Sequence, residues 1–250
     1  MRIGVIVLLG ALVIPVAPAA AQSSSAPLPS PDFLFGRPKA SAGIRGGWLF
    51  ARAGSDWYDF VTRNLTLENQ DFNRPAIGGD VGVTLSRRLE LVFSLDYSQA
   101  SASSEYRDFV DNLRMPIQQV TALKQTNISG ALKFYLLDRG REISRLAWVP
   151  STVVPYVGAG GGALWYKMNQ TGDFVDFVDS SIFGDSLQSQ GAGPSAHVFA
   201  GVDVKMWRRL YLTLDARHLW ADADLGNDWI DFDPIDLTGT RLSAGINVVF

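Results

Sequence analysis

Apolar and polar side chains alternate along the last thirteen residues of the chain, Thr238 to Phe250. One face of an extended strand would carry Leu242, Ala244, Ile246, Val248 and Phe250. The opposite face would carry Arg241, Ser243, Gly245 and Asn247. Because successive side chains of a β-strand point to opposite sides, this period of two predicts a strand with one apolar and one polar face.

Seven further segments show the same alternation and are bounded by turn residues or polar connections. They predict strands over residues 43–53, 77–86, 89–99, 125–137, 152–166, 195–206 and 210–220. The tight turns Arg87-Arg88 and Arg208-Arg209 alternate with long connections at 54–76, 100–124, 167–193 and 221–237. Only the turn at 138–151 is longer than this alternation predicts.

Eight antiparallel strands with short and long connections in alternation predict an all-β, eight-stranded transmembrane β-barrel of the outer-membrane type over residues 43–250. Its short turns would face the periplasm and its long loops the cell exterior. A soluble barrel would instead hold its apolar side chains inside. The charged residues on the polar faces favour the membrane barrel, because Trp and Phe could not all fill a narrow interior.

The start of the chain supports an envelope location. Arg2 precedes an apolar run from Ile3 to Val16, and Ala19-Ala20-Ala21 follows as a small-residue cleavage signal. This order predicts a secretory signal peptide over residues 1–21, cleaved before Gln22. An uncleaved anchor is the alternative, although a membrane span needs about 20 apolar residues. The Pro- and Ser-rich residues 22–42 predict a flexible periplasmic lead-in.

Composition excludes several classes of site. The chain has no Cys, which removes disulfides, thiolate metal sites and Cys nucleophiles. Its net charge of −3 at pH 7 argues against a nucleic-acid partner, which requires a basic surface. No cofactor motif is present, and we expect a monomer that contacts outer-membrane lipid and lipopolysaccharide.

The predicted inward faces carry five acidic and five basic residues, which we expect to form a structural or gating charge network in the lumen. Buried charges are strongly unfavourable unless they are paired, and the interior of an eight-stranded barrel is just wide enough for its side chains. Paired charges would therefore plug the lumen, and a charge-gated narrow channel is the alternative. The ten residues are Arg45, Asp80, Glu90, Asp96, Lys133, Asp203, Lys205, Asp215, Arg217 and Arg241.

Three motifs resemble the outer-membrane β-barrel domain family, which groups small barrels similar to OmpA and OmpX. They are the segment from Pro155 to Gly162, the two Arg-Arg-Leu-x-Leu hairpins, and the closing segment from Arg241 to Phe250. The resemblance covers about residues 40–250 and implies surface, adhesive or envelope-stabilising roles. It also implies that the C-terminal Phe250 is the signal read by the barrel-assembly machinery. The OmpW-like group, whose members carry small hydrophobic molecules, is a neighbouring possibility.

The predicted loops have two unusual compositions. Trp57, Tyr58 and Phe60 in the first loop and Phe174, Phe177 and Phe183 in the third could form an apolar entrance or anchor the loops at the membrane interface. The fourth loop holds six Asp residues and no Lys or Arg, so it could bind divalent cations or remain a solvated acidic loop. These six are Asp222, Asp224, Asp228, Asp231, Asp233 and Asp236.

Catalysis has weak support. The chain has two histidines, of which His197 shares a predicted face with Ser195, without an acid assigned to orient it. We therefore expect a non-enzymatic barrel. Two hypotheses remain: a structural or surface-interaction barrel with a plugged lumen, and a channel or carrier for small hydrophobic molecules.

Overall fold

The computed structural model describes residues 33–145 and 147–250. The predicted signal peptide and most of the predicted lead-in lie outside the described residues. Within the described part of the chain, no helix combines the length and the apolar character needed to cross a bilayer.

Eight antiparallel strands form a closed ring. Each strand pairs with its neighbours along the chain, and the first strand pairs with the last, from Ser41↔Val249 to Ala51↔Gly239. This closure confirms the predicted eight-stranded barrel and leaves no open edge around the ring. The strands are β1 (Ala40–Ala51), β2 (Arg74–Thr84), β3 (Leu89–Val110), β4 (Pro116–Tyr135), β5 (Val153–Val175), β6 (Ile182–Lys205), β7 (Leu210–Ala223) and β8 (Gly239–Val249).

The two faces of the ring have the polarity predicted for a membrane barrel. Asp96 of β3 contacts Arg217 of β7, and these strands are not neighbours, so the contact crosses the interior. Charged side chains therefore point inward. The outward side chains are large and apolar, and they include Ile44, Ile77, Phe93, Leu132, Val157, Leu214 and Leu242.

Two of the predicted long loops are mostly strand. The prediction of loops over 100–124 and 167–193 is wrong, because β3 and β4 remain paired up to Val110↔Pro116, and β5 and β6 up to Val175↔Ile182. Both hairpins extend well past the other four strands. Main-chain hydrogen bonds hold them together, and these bonds do not depend on the apolar alternation from which the strands were predicted.

The barrel therefore has two different ends. The "turn end" carries the connections 85–88, 136–152 and 206–209, and the "hairpin end" carries the two long hairpins and the connections 52–73 and 224–238. The connection 52–73 contains a helix, α1 (Asp56–Asn64), and a 3₁₀ turn (Asn69–Phe72). A second 3₁₀ turn (Asn227–Trp229) lies in the connection 224–238.

The long connection at the turn end forms a small sheet. Strands Gly140–Ser144 and Ala147–Pro150 pair with each other, and Leu34–Phe35 pairs with the second of them. Leu34 and Trp148 of this sheet pack against Tyr211 and Val249 of the barrel. Leu34 and Phe35 of the predicted lead-in therefore form a short strand, and β1 begins at Ala40, three residues earlier than predicted.

Glycines let β5 lie close to its neighbours. A Cβ atom on Gly162 would lie 2.6 Å from Cα of Ser129, and one on Gly158 would lie 2.7 Å from the carbonyl oxygen of Leu132. Side chains at these positions do not fit, so the Gly-rich segment is a packing requirement of this barrel wall.

Candidate functional site: the barrel interior and its two ends

A buried ion-pair cluster fills the middle of the barrel. Asp96 accepts hydrogen bonds from Arg45 Nη2 at 2.6 Å and Arg241 Nη1 at 2.7 Å, and Arg217 Nη1 lies 3.7 Å from its other carboxylate oxygen. Three arginines from three strands therefore converge on one carboxylate.

Two further carboxylates balance these charges. Arg45 also pairs with Asp80, and Arg217 Nε lies 3.6 Å from Asp215. The guanidinium of Arg217 stacks over the Phe199 ring at 4.7 Å. With three cations and three anions the group is formally neutral, as a buried charge cluster must be to avoid a large desolvation penalty. We name this group, Arg45, Asp80, Asp96, Asp215, Arg217 and Arg241, the central ion-pair cluster.

A second cluster lies nearer the turn end. Lys133 Nζ is 3.0 Å from Asp203 and sits 3.7 Å from the centre of the Tyr156 ring. Glu90 accepts hydrogen bonds from Ser41 Oγ at 2.8 Å and Tyr135 Oη at 2.6 Å. Arg139 Nη1 approaches the same carboxylate at 3.5 Å. We name Glu90, Lys133, Arg139 and Asp203 the turn-end ion-pair cluster.

The structure places nine of the ten predicted lumen residues in these two clusters. The tenth, Lys205, lies at the turn end of β6, beside Tyr211 in the strand register. Tyr156 connects the clusters, because its hydroxyl donates a hydrogen bond to Asp215 at 3.2 Å while Lys133 covers its ring.

Sequence reasoning missed Arg139. It belongs to the connection between β4 and β5, outside any alternating segment, so period-two reasoning does not assign it to the lumen. The available signal was the length of that connection, which exceeds what a tight turn requires.

The hairpin end is filled by side chains of the opposite character. Trp57 and Tyr58 of α1 are fully buried; the Trp57 ring meets the Trp229 ring at 6.0 Å, and the Tyr58 ring meets the Phe72 ring at 4.8 Å. We name this group the aromatic cap. Its buried side chains include Trp57, Tyr58, Val61, Phe72, Tyr106, Ile117, Leu123, Leu164, Tyr166, Met168, Trp229 and Ile235.

Two of the six aromatic loop residues therefore differ in role from both sequence expectations. Trp57 and Tyr58 neither anchor a loop at the interface nor line an entrance, because they form the centre of the cap. Phe60 packs at the cap's edge against Phe177 and Phe232. Burial raises the pKa of Tyr58 well above its usual range, so its phenol stays neutral.

The acidic residues near β7 and β8 do not gather at one point, because they make separate local hydrogen bonds. Asp236 accepts from Gly54 N at 3.0 Å and Thr238 N at 2.9 Å, and Asp228 accepts from Gln188 N at 2.9 Å. Within residues 33–145 and 147–250, no three acidic, His or Cys side chains meet in a group that could hold a metal ion.

The Ser195 and His197 side chains do not form a catalytic pair. Ser195 Oγ donates its hydrogen bond to Asn127 at 2.7 Å, and His197 stacks against Phe199 at 5.8 Å. Neither ring nitrogen of His197 has a hydrogen-bond partner among the described residues. A base needs hydrogen-bond reach of its nucleophile, and this geometry does not provide it.

No protein-family model matches the chain, and no curated protein is significantly similar to it in sequence. Several solved structures are similar in fold. Neisserial surface protein A matches with 14% identity over 88% of this chain and 98% of its own, at a TM-score of 0.43.

Two further structures match over similar lengths. One is the attachment invasion locus protein Ail of Yersinia pestis, solved in complex with the heparin analogue sucrose octasulfate. It matches with 14% identity over 85% of this chain and 99% of its own, at a TM-score of 0.47. The outer membrane protein OprG of Pseudomonas aeruginosa matches with 11% identity over 87% of this chain and 99% of its own, at a TM-score of 0.46. All three are small outer-membrane β-barrels, the class that the sequence resembles. At these identities the similarity concerns the fold alone, which the strand pairing of this chain establishes directly.

Proposed function

We propose that the protein is an outer-membrane barrel with a closed lumen, which acts as a structural and surface-interaction element of a Gram-negative-type cell envelope. The observation that carries this proposal is that side chains fill the lumen along its length, with different chemistry in its different parts. One neutral ion-pair cluster fills the middle of the barrel and a second fills the part beside the turn end, while the aromatic cap fills the hairpin end.

The outer surface supports the membrane location. On β4, outward side chains are apolar or small between Thr126 and Leu136, and Lys124 follows above them. Eleven residues at about 3.4 Å rise and about 40° tilt span about 25 Å, the height of the apolar band of outer-membrane barrels. Aromatic side chains mark the upper border of this band, as in an interfacial girdle: Trp48, Tyr97, Trp165 and Trp220.

The small cavities of the barrel interior support a lumen that is closed to solutes. Two cavities within the barrel have volumes of about 40 Å³ each, whereas sites for small organic ligands span about 300–1,000 Å³. One cavity lies between the two ion-pair clusters, and the other lies between the central cluster and the cap. Neither is large enough for a hydrophobic solute, so this geometry favours the closed barrel over the carrier.

The long hairpins support a role at the surface. Their tips carry exposed apolar side chains, among them Val110, Leu113, Met115 and Val178. Contiguous exposed apolar groups on a soluble surface commonly mark interaction sites. We propose that the turn end faces the periplasm, that the hairpins project outward past lipopolysaccharide, and that the assembly machinery reads the β8 strand ending at Phe250.

Single-channel recording tests the closed lumen. We expect no stable conductance from the refolded mature protein in planar bilayers, once unboiled samples show the gel shift of a folded barrel. Discrete openings of the wild-type protein that a detergent-like solute blocks would contradict the proposal and support the hydrophobic carrier.

A paired variant sharpens this test. Trp57→Ala with Asp96→Ala loosens both fillings of the lumen, so we expect openings only from this double variant. Asp108→Ala, at an exposed position of the β3 hairpin, is the matched control and should remain closed.

A further inference from the structure

A pocket of about 340 Å³ lies at the turn end, between the small sheet and the β2–β3 turn. It is formed by three segments far apart in sequence: the residues before β1, the turn at 85–88, and the connection between β4 and β5. Its volume lies within the range of small-molecule sites and well above that of the lumen cavities. Its lining consists of Arg37, Arg87, Asp138, Arg139, Gly140, Arg141, Glu142 and Trp148.

The pocket is strongly basic. Four guanidinium groups face two carboxylates, and one of the four, Arg139, is also paired with Glu90 of the turn-end ion-pair cluster. One of these carboxylates, Asp138, is already paired with Arg88 at 2.7 Å. No carboxylate among the described residues lies within ion-pair distance of Arg87 or Arg141.

Burial and the neighbouring positive charges both act on Arg37. Burial lowers the pKa of Arg37, and the charges of Arg139 and Arg87 lower it further. Arg37 is held in place because it donates to the carbonyl oxygen of Ser86, and Arg139 is held by Glu90 and Thr84. Two of the four guanidinium groups are therefore fixed before any ligand arrives, and an anion would relieve their mutual repulsion.

We propose that this pocket binds a phosphate-bearing anion. Guanidinium groups match phosphate oxygens with paired, charge-assisted hydrogen bonds, and four of them from three separate segments line this pocket.

The position of the pocket favours a lipid headgroup as the source of the phosphate, and this part rests on the proposed membrane location. Arg87 follows the outward apolar Leu85 by two residues, and Asp138 directly follows the exposed Leu136 and Leu137. The pocket therefore lies where the apolar band ends, level with the headgroups of the periplasmic leaflet. An anionic phospholipid such as phosphatidylglycerol would place its phosphate there while its acyl chains stay beside the barrel.

Native mass spectrometry of the refolded full barrel, released from detergent, tests the proposal in two arms. One arm titrates phosphatidylglycerol against phosphatidylcholine, and the other titrates inorganic phosphate. We expect retention of phosphatidylglycerol, reduced about 25-fold in Arg87→Gln/Arg141→Gln, from about fivefold per arginine at an anionic headgroup. Arg145→Gln, an exposed arginine of the same connection outside the pocket, is the matched control and should bind like wild type.

The two arms separate the two sources of phosphate. Arginine-dependent binding in the phosphate arm alone would assign the site to a free anion, and binding in the lipid arm to a headgroup. Equal binding by the double variant, the control and the wild type in both arms, or no binding in either, would overturn the proposal. Only samples with the gel shift of a folded barrel are compared, so a failure to form a membrane barrel is recorded separately from a failure to bind.

Discussion

The two halves of the barrel interior solve the same packing problem with opposite chemistry. At the proposed membrane level the outward side chains are apolar and the interior holds ion pairs. Beyond Tyr97 the outward residues of β3 become polar (Gln99, Ser101, Ser103), and the interior of the barrel becomes the aromatic cap. A single strand therefore reverses the polarity of its two faces partway along its length.

This difference shows that the surroundings of the barrel determine the polarity of its interior. Where lipid surrounds the barrel, the apolar residues must face outward, so the lumen receives the polar ones and pairs their charges. Where water surrounds it, the apolar residues can turn inward, as in a soluble barrel. A short amphipathic helix, α1, then fills part of the interior at the hairpin end.

The largest expected effect lies in the central ion-pair cluster. Asp96→Asn keeps the shape of the side chain but leaves three buried arginines with two carboxylates. Breaking a buried ion pair costs about 3–5 kcal/mol, so we expect the urea midpoint of the folded barrel to fall accordingly. Asp108→Asn, an exposed Asp on the same strand, should leave the midpoint unchanged. An equal midpoint for wild type and Asp96→Asn would show that the cluster contributes little.

The next effect should be confined to the aromatic cap. Trp57→Ala removes a fully buried indole, which costs about 3 kcal/mol or more in a packed core. We expect α1 to open locally, so that trypsin cleaves after the exposed Arg63 about 100-fold faster, while the barrel keeps its gel shift. Trp207→Ala, at an exposed turn-end position, is the control. Collapse of the whole barrel in Trp57→Ala would show that the two halves are not independent.

A smaller effect tests the barrel wall between the two halves. Gly162→Ala places a methyl group against the backbone of β4, and such overpacking costs about 1–3 kcal/mol. Gly46→Ala is the matched control, because an added Cβ there meets nothing within 4 Å. Folding yield and urea midpoint should fall only for Gly162→Ala, and tolerance of both changes would contradict the close approach of β4 and β5.

The smallest effect depends on pH and belongs to Tyr58. Its pKa is raised in the folded state, so above about pH 10 the unfolded chain loses this proton first and unfolding becomes more favourable. Tyr58→Phe removes this contribution. We expect the variant to resemble wild type at pH 7 and to lose about 1 kcal/mol less stability at pH 11. Identical alkaline losses in both proteins would mean that Tyr58 is accessible to solvent in the folded state.

Much of the fold follows from local sequence patterns. The alternation around Leu89 to Gln99 and Thr238 to Phe250 identifies strands and their apolar faces, since a period of two is a property of a single strand. The count of eight strands and the alternation of connection lengths then give the ring. The two clusters contain ten charged residues. The same alternation assigns nine of them to the inward face of their strands.

Tertiary structure decided what no local pattern carries. Asp96 meets Arg45, Arg217 and Arg241 only because ring closure brings β1, β3, β7 and β8 around one interior, and parity along a strand does not specify partners across it. The hairpins beyond Gln99 are strands because their main chains pair, although Ser, Thr and Gln on both faces hide the alternation. Arg139 and α1 lie in connections, where position depends on the space that the completed barrel leaves open. The sequence by itself thus determined which way each strand faces, and the closed barrel determined what those faces meet.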